Sequence, residues 1–550
     1  MEVSSLARSR RLPPAERRLL ERVSVIGLEL TLDDAHAMAD GDLDVADVPG
    51  LLAALTRRDL LRRVRDLAGE SWAFRHVMVR DAAYDALPKA VRAELHQRFA
   101  ERIDASDGEA GSERLAFVGH HLEQAARHRR ELMPGDAATE ALLIRAARAL
   151  GAAADVARSR QDLTAADRLI QRAVDLDVPD MAVRRLLLNQ LVQLLNDQGR
   201  TAEVPAALDR FEAALDPSAT SLDHAYLHSQ RLLTLLETGG DVDPALAEAA
   251  GDEVIRLATE AGDQRRLVEG ELVVFHAYVM RGQWAATERV AVSLSHRGAQ
   301  DSLLAQLMMG AILIHGPRPS GEMISYAEQA LKDRASWITP VGAARLRLLV
   351  AMGRACADPD VLPDAFALLA ELMAAGPTDY VSEMLMAEGA MMAGAVEAGM
   401  QQMRVAVDRT RELGGLSYVS TYLAWLACCV LELGDPDDEA AGMLDEARGY
   451  TSPHDVVSVA LVAAGDAFVA SRAGDHGRAA ALAAEAMAVV DRTDMTWQQA
   501  DLRRWAAQLA AQRGDRDSQG RLLVEARALY AAKHLPVWVE HVDRLLEVLG

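Results

Sequence analysis

The apolar positions of residues 112–550 recur with a helical period, in segments of roughly 12 to 20 residues, and none shows the alternation of a half-buried strand. Short breaks rich in Gly, Asp and Pro separate these segments. Three of the breaks lie 40 residues apart, at Gly434-Asp435, Gly474-Asp475 and Gly514-Asp515. Earlier breaks of the same kind are Gln161-Asp162, Gly199-Arg200 and Gly282-Gln283. The spacing predicts an array of helical hairpins.

Each Gly-Asp pair suits the turn of a hairpin, because Gly ends a helix in the left-handed conformation and Asp caps the amides of the next helix. Small residues then follow where the two helices touch, at Ala479 and Ala486, and at Ala166 and Ala173. These offsets resemble the second helix of a tetratricopeptide repeat. We therefore expect an all-α protein, with a right-handed tetratricopeptide-like helical-hairpin α-solenoid over residues 112–550. A non-repetitive helical bundle is the alternative.

The segment from Leu416 to Leu433 shows why stacked hairpins suit this sequence. It carries two apolar stripes, one of Tyr418, Tyr422, Trp425 and Cys429, the other of Leu423, Leu426, Val430 and Leu433. Two stripes require two neighbouring helices, which a stacked array supplies. Trp425 is accordingly predicted to be buried.

The first hundred residues follow a different pattern. We expect a tail over residues 1–11 and then three helices, the first opened by Pro13-Pro14, the second capped at Thr31 and the third started by Pro49. Two short strands are predicted around Gly69, over residues 63–66 and 71–75, followed by helices over residues 77–86 and 89–104. Three helices and a small hairpin are the order of a winged helix, so residues 12–104 are predicted to form a small winged-helix-like domain.

Composition and charge narrow the classes of function. The 550 residues are 50% hydrophobic and only 4% aromatic, and 82 acidic against 59 basic residues give a net charge of −23. Such a charge repels phosphate backbones and anionic membranes, which excludes a general nucleic-acid coat protein. The three cysteines show no metal spacing, and the longest clean apolar run, residues 422–431, is half a membrane span. We expect a soluble, cytoplasmic protein.

The densest basic cluster lies where a winged helix presents its recognition helix to DNA. Residues 1–104 nevertheless contain 17 basic and 18 acidic residues, so DNA binding is weakly supported and solvated or internally paired arginines are the better interpretation. The cluster comprises Arg57, Arg58, Arg62, Arg63 and Arg65.

Three stretches carry a resemblance to a known family. They are LPPAERRLLE at residues 12–21 with SVIG at 24–27, FRHVMVRDAAY at 74–84, and GHHLEQA at 119–125. They resemble the region that follows the ATPase core in bacterial STAND ATPases, the signal-transduction NTPases attached to nucleotide cyclases or LuxR-type regulators. The resemblance covers residues 12 to about 180 and extends loosely to the end. It implies a winged helix followed by a tetratricopeptide-like sensor.

The phosphate-binding loop of that family has no counterpart here. GxxxxGK[ST] needs a lysine after a glycine, and none of Lys89, Lys332 and Lys533 has one. We therefore expect no cofactor in this chain itself, and ADP or ATP only together with an ATPase domain. Because the resemblance starts at Leu12, the chain looks like the C-terminal part of a longer family member.

His76 is the principal candidate residue, with Arg80. The resemblance aligns His76 with the histidine of the Met-His-Asp motif, which approaches the β-phosphate of bound ADP in STAND proteins. Otherwise His76 packs beside the wing, and Arg80 with Asp81 forms a solvated pair. A second candidate, the helical face of His120, Gln124 and His128, has no carboxylate or Cys to complete a zinc set and is interpreted as structural.

No HExxH, GxSxG, CxxC or GxGxxG motif occurs, so we expect a non-enzymatic signalling module. Its solenoid would bind a protein or peptide on the concave face, and its winged helix would dock on an ATPase domain in trans. No membrane or nucleic-acid partner is expected. The alternatives are a C-terminal fragment of an ATP-binding cyclase or LuxR-type regulator, and a winged-helix DNA-binding regulator.

Overall fold

A computed structural model describes residues 12–39, 43–66, 69–105, 111–295, 308–333, 338, 340–375, 380–434 and 437–549. The chain divides into two compact units, Met1–Leu194 and Leu195–Gly550. The predicted tail and Asp435 lie outside the described residues, and the predicted domain limits 12–104 and 112–550 stay a prediction.

The first unit opens with a mixed region of helices and short strands. Its elements, in chain order, are α1 (Pro14–Val23), β1 (Glu29–Thr31), α2 (Leu32–Met38), α3 (Val48–Arg57), β2 (Leu61–Asp66) and β3 (Gly69–Phe74). Long helices follow, namely α4 (Val77–Ala86), α5 (Lys89–Asp104), α6 (Ser112–Leu132), α7 (Ala137–Ser159), α8 (Leu163–Asp175) and α9 (Met181–Asp197), of which α9 crosses into the second unit. A 3-10 turn, Val45–Asp47, precedes α3.

The three strands form one antiparallel sheet in the order β1-β3-β2. The hairpin of β2 and β3 matches the predicted pair of strands, whereas β1 was not predicted. Thr31 ends β1 and caps α2 through a reciprocal capping box with Asp34, as its sequence indicated. Leu19, Leu52 and Phe74 are buried in a common core beneath this sheet and the surrounding helices.

The second unit is helical throughout its described residues. Its helices are α10 (Val204–Ala213), α11 (Ser221–Glu237), α12 (Pro244–Ala261), α13 (Gln264–Met280), α14 (Trp284–Ser295), helical residues 308–315, α15 (Glu322–Asp333), α16 (Pro340–Ala355), α17 (Leu362–Ala375), α18 (Tyr380–Met392), α19 (Val396–Leu413), α20 (Leu416–Leu433), α21 (Asp437–Tyr450), α22 (Val456–Arg472), α23 (His476–Val490), α24 (Thr496–Gln512), α25 (Arg516–Ala532) and α26 (Pro536–Leu549). Short 3-10 turns, Thr201–Glu203 and Pro359–Val361, precede α10 and α17.

The turns between helices have the predicted chemistry. Gly474 and Gly514 have φ values of +83° and +78°, and the Asp475 and Asp515 side chains accept from backbone amides of the helices they precede. The alanines predicted at helix contacts are buried, among them Ala479. Within the described residues all strands lie between Glu29 and Phe74, so the all-helical hairpin array predicted for 112–550 is confirmed there. Its right-handedness stays a prediction.

The second unit winds back on itself, so that early helices of the unit contact late ones, and we call these two groups of helices its two windings. Lys533 donates to the carbonyl oxygen of Leu313, 220 positions away, and the amide of Trp284 donates to Asp494, 210 positions away. At another contact, Gly239 has φ +75°, and a Cβ added there would lie 2.4 Å from the carbonyl oxygen of Tyr450. Glycine is therefore required both to end the helix and to let the two windings touch.

Helix α20 lies at the centre of this unit. Its bounds match the prediction, and Trp425 is 2% exposed, as predicted. The two-stripe pattern is wrong in detail: Leu433 is 49% exposed, whereas Ala424, Cys428 and other residues between the stripes are buried. The physical reason is the winding, since α20 contacts α11 in addition to its neighbours in the array.

Candidate functional site

His76 stands at the point where the β2–β3 hairpin leads into α4. It is the N-cap residue of that helix, in an extended conformation, and its side chain makes no capping hydrogen bond. The half-buried imidazole has no hydrogen-bond partner among the residues that the structure describes. Its predicted role in nucleotide sensing stays a prediction.

Arg80, one turn later on α4, is engaged within the chain. Its Nε donates to the carbonyl oxygen of Ser24 at 2.9 Å, and Nη1 lies 3.1 Å from the carboxylate of Asp81. The guanidinium also lies over the ring of Tyr84, 5.0 Å from its centroid. Arg80 is therefore held by contacts within the chain, and its role in nucleotide sensing stays a prediction. His76 is the candidate whose side chain has no hydrogen-bond partner among the described residues.

Two arginines of the basic cluster are paired with carboxylates. Nε of Arg58 lies 2.6 Å from Glu16, and Arg63 lies 3.5 Å from Glu70 and over the ring of Trp72. These contacts agree with the interpretation of internally paired arginines. The sequence signal that indicated paired arginines was the near balance of acidic and basic residues over residues 1–104.

Histidines from α5 and α6 meet Tyr84 of α4 in a cluster that the sequence did not reveal. Nδ1 atoms of His96 and His121 lie 2.8 Å apart, and the Tyr84 hydroxyl contacts Nε2 of His96 at 2.9 Å and of His128 at 2.8 Å. Burial and the neighbouring imidazoles lower the pKa of His96 to about 2 and that of His121 to about 3. The rings are therefore neutral at pH 7 and connect the three helices.

Two histidines of the predicted helical face, His120 and His128, contact different partners. His120 Nδ1 accepts from Arg172 at 2.8 Å, whereas His128 contacts Tyr84. Among the described residues, no group of three or more His, Cys, Asp or Glu side chains is arranged to hold a metal ion. Sequence spacing identified His120 and His128 but not His96 and Tyr84, because their helices meet only in the folded unit.

The second unit contains a cavity of about 60 Å³ between its windings. Its walls come from α13, α14, helical residues 308–315, α18, α20, α22 and α24. Glu388 is fully buried there, with Oε1 accepting from the Tyr422 hydroxyl at 2.8 Å and Oε2 lying 3.2 Å from Nε2 of His315. The Trp284 ring stacks on His315, with centroids 4.6 Å apart. A carboxylate and aromatic rings thus share one small cavity.

No protein-family model matches this sequence, and no curated protein matches it. Several solved structures are similar to it, among them the following three.

A chain of the Cut9–Hcn1 hetero-tetramer of the APC/C has TM-score 0.49 and 11% identity, over 84% of this chain and 91% of that one. A Signal Transduction ATPase with Numerous Domains (STAND) protein with a tetratricopeptide repeat sensor, from Pyrococcus horikoshii, has TM-score 0.38 and 10% identity, over 98% and 66%. Yeast Tom70 has TM-score 0.24 and 12% identity, over 84% and 93%. At these identities and TM-scores the likenesses carry no functional information.

One helix in the described part of the chain, α20, is long and apolar enough to span a membrane by length and composition, with mean hydropathy 1.5 over 18 residues. Of that window 72% is buried inside the unit. Burial of this extent is typical of a core helix, because a membrane span would present its apolar side chains to lipid.

Proposed function

We propose that this chain is a non-enzymatic signalling module whose N-terminal domain docks on a STAND ATPase domain and whose helical repeats bind a protein or peptide. The observation that carries the docking is His76, whose imidazole has no partner among the described residues although Arg80 nearby is engaged. In the family that residues 74–84 resemble, the corresponding histidine approaches the β-phosphate of ADP. An imidazole N–H at this position would donate to a phosphate held by the docked domain.

Apolar side chains exposed close to His76 support a docking surface in the same place. Val77 and Met78, the first residues of α4, are 55% and 45% exposed. Leu28 is also exposed, and its carbonyl oxygen accepts from the amide of Phe74, which brings it close to the same end of the sheet. An exposed apolar group beside an unpaired imidazole suits a protein interface better than free solvent.

The proposed surface for a protein or peptide is the concave face of the repeat array. We place the protein in the cytoplasm, where its three buried, unpaired cysteines would stay reduced, and propose no membrane or nucleic-acid partner.

The test is binding to the ADP-loaded ATPase domain of a STAND protein from the same genome, measured by sedimentation velocity. Val77→Asp places a charge in the proposed interface and should abolish the complex. The matched control is Val524→Asp, because Val524 is 57% exposed and lies on α25, far along the chain. Equal binding by the two variants would refute docking through this surface.

A further inference from the structure

The cavity between the windings of the second unit contains hydrogen-bond acceptors that the chain leaves unsatisfied. Gln498 is 3% exposed, and its Oε1 has no partner among the described residues. Oε2 of Glu388 also makes no hydrogen bond, although it lies within 3.2 Å of His315, and the Ser417 hydroxyl is likewise without a partner. Buried acceptors of this kind are costly unless a donor reaches them.

His315 has two polar neighbours in the cavity. The amide nitrogen Nε2 of Gln498 lies 3.2 Å from Nδ1 of His315, and an amide NH₂ group can only donate. The His315 ring therefore lies between Gln498 and Glu388, with Nε2 on the side of the carboxylate.

The other carboxylate in the cavity, that of Asp455, is already satisfied. It caps α22 by accepting from the amides of Val457 and Ser458 and from the Ser458 hydroxyl. Among the described residues that line the cavity there is no lysine or arginine. Glu388 is therefore a fully buried carboxylate whose basic neighbour among the described lining residues is the imidazole of His315.

We propose that this cavity binds a small primary ammonium ion. The ammonium group has three N–H donors, which suit Oε2 of Glu388, Oε1 of Gln498 and the Ser417 hydroxyl, and its charge compensates the buried carboxylate. The aromatic rings of Trp284 and Trp425 line the same cavity and favour a cation over a neutral ligand.

The size of the cavity limits the ligand. About 60 Å³ holds roughly four to six non-hydrogen atoms, since a single water needs about 10–15 Å³ by the same measure. Short alkylammonium ions fit this limit. Because the walls of the cavity come from both windings, a bound ion would hold the two windings together. The cavity would bind the ion whether or not the N-terminal domain docks on a partner.

The experiment uses the full chain and propylammonium chloride, with propan-1-ol as the neutral analogue and sodium chloride to match ionic strength. Binding is followed by fluorescence, because Trp284 and Trp425 lie in the cavity, and by isothermal titration. We expect a dissociation constant of about 0.05 to 5 mM for the ammonium ion, at least about tenfold tighter than for the alcohol.

Variants locate the site. Glu388→Gln keeps the shape but removes the charge and should weaken binding at least about tenfold, whereas Glu485→Gln, on the exposed surface of α23, should bind as the wild type does. Gln498→Leu, which keeps Glu388, should also weaken binding of the ammonium ion. It replaces Glu388→Gln as the test of the site if that variant does not fold. Equal affinity for ion and alcohol, no binding of either, or binding that survives both cavity variants would overturn the proposal.

Discussion

Lys533 is a buried lysine between the two windings, and its burial makes the stability of the second unit depend on pH. Its side chain is fully buried, and Nζ donates to the carbonyl oxygens of Leu313 at 2.8 Å and Gly316 at 2.5 Å. Burial lowers the pKa of Lys533 to about 7 from 10.5, although the nearby Cys356 and Glu322 raise it in part. The neutral amine keeps two N–H donors, so both bonds survive loss of the proton.

The sign and size of the effect follow from proton linkage. Between pH 7 and 10.5 the unfolded chain holds a proton on Lys533 that the folded chain has released, so the free energy of unfolding rises with pH. Between pH 7.0 and 8.5 this amounts to between about 1 and 2 kcal/mol. Burial raises the pKa of Asp501 to about 7, so the folded chain releases that proton as pH rises through this value, which offsets a small part of the increase due to Lys533.

A comparison of variants separates the contribution of Lys533 to this pH dependence from the contributions of other titratable groups such as Asp501. We expect the rise in unfolding free energy between pH 7.0 and 8.5 to be smaller in Lys533→Met than in the wild type by between about 1 and 2 kcal/mol, as measured by urea unfolding. Tryptophan fluorescence reports this unit, because Trp72 is the one tryptophan of the first unit. Lys332→Met, at an exposed position, should keep the wild-type dependence. Parallel pH curves for wild type and Lys533→Met would refute the reasoning.

Three further predictions concern the core and the nucleotide. Trp425→Ala should lower the free energy of unfolding, measured in urea, by about 3–5 kcal/mol, because the Trp425 ring packs on that of Trp497 with centroids 4.9 Å apart. Leu246→Ala, at an exposed position, should lower it by less than about 0.5 kcal/mol. Similar losses for the two variants would contradict the packing of Trp425. The chain should not hydrolyse ATP and should bind ATP or ADP no tighter than about millimolar, since it lacks the phosphate loop; micromolar affinity in calorimetry would be inconsistent with that view. His76→Ala should leave the stability of the chain nearly unchanged but accelerate ADP release from an ATPase domain fused to its N-terminus, and equal release rates would reduce His76 to a packing residue.

Several features were predictable because their signals are local. The helix bounds Lys89–Asp104 and Leu416–Leu433 agree with the sequence-based prediction. Pro88 stops the preceding helix and Gly434 adopts φ +86° at the end of α20, and both effects act within a few residues. The caps at Asp475 and Asp515 are of the same local kind, which is why the repeat was visible in the sequence.

Other features depended on partners remote in sequence. Strand β1 has only three residues and exists because it pairs with β3, more than 40 positions later. The helical face of His120 and His128 was predicted, but the contacts of His96 with His121 and of Tyr84 with both helices require α4, α5 and α6 to be packed. Whether His76 senses a nucleotide is not decided by its local pattern and stays a prediction.

The sequence by itself determined that residues 112–550 would form helical hairpins with capped turns, because periodicity and turn residues act over one or two helical turns. It could not determine what covers each apolar face. The winding that buries most of α20, and the cavity that brings Gln498 to His315 across 183 positions, depend on how small angles between successive hairpins add up. Those angles are set by side-chain packing along the whole array, so only the tertiary structure decided where Glu388, His315 and Gln498 meet.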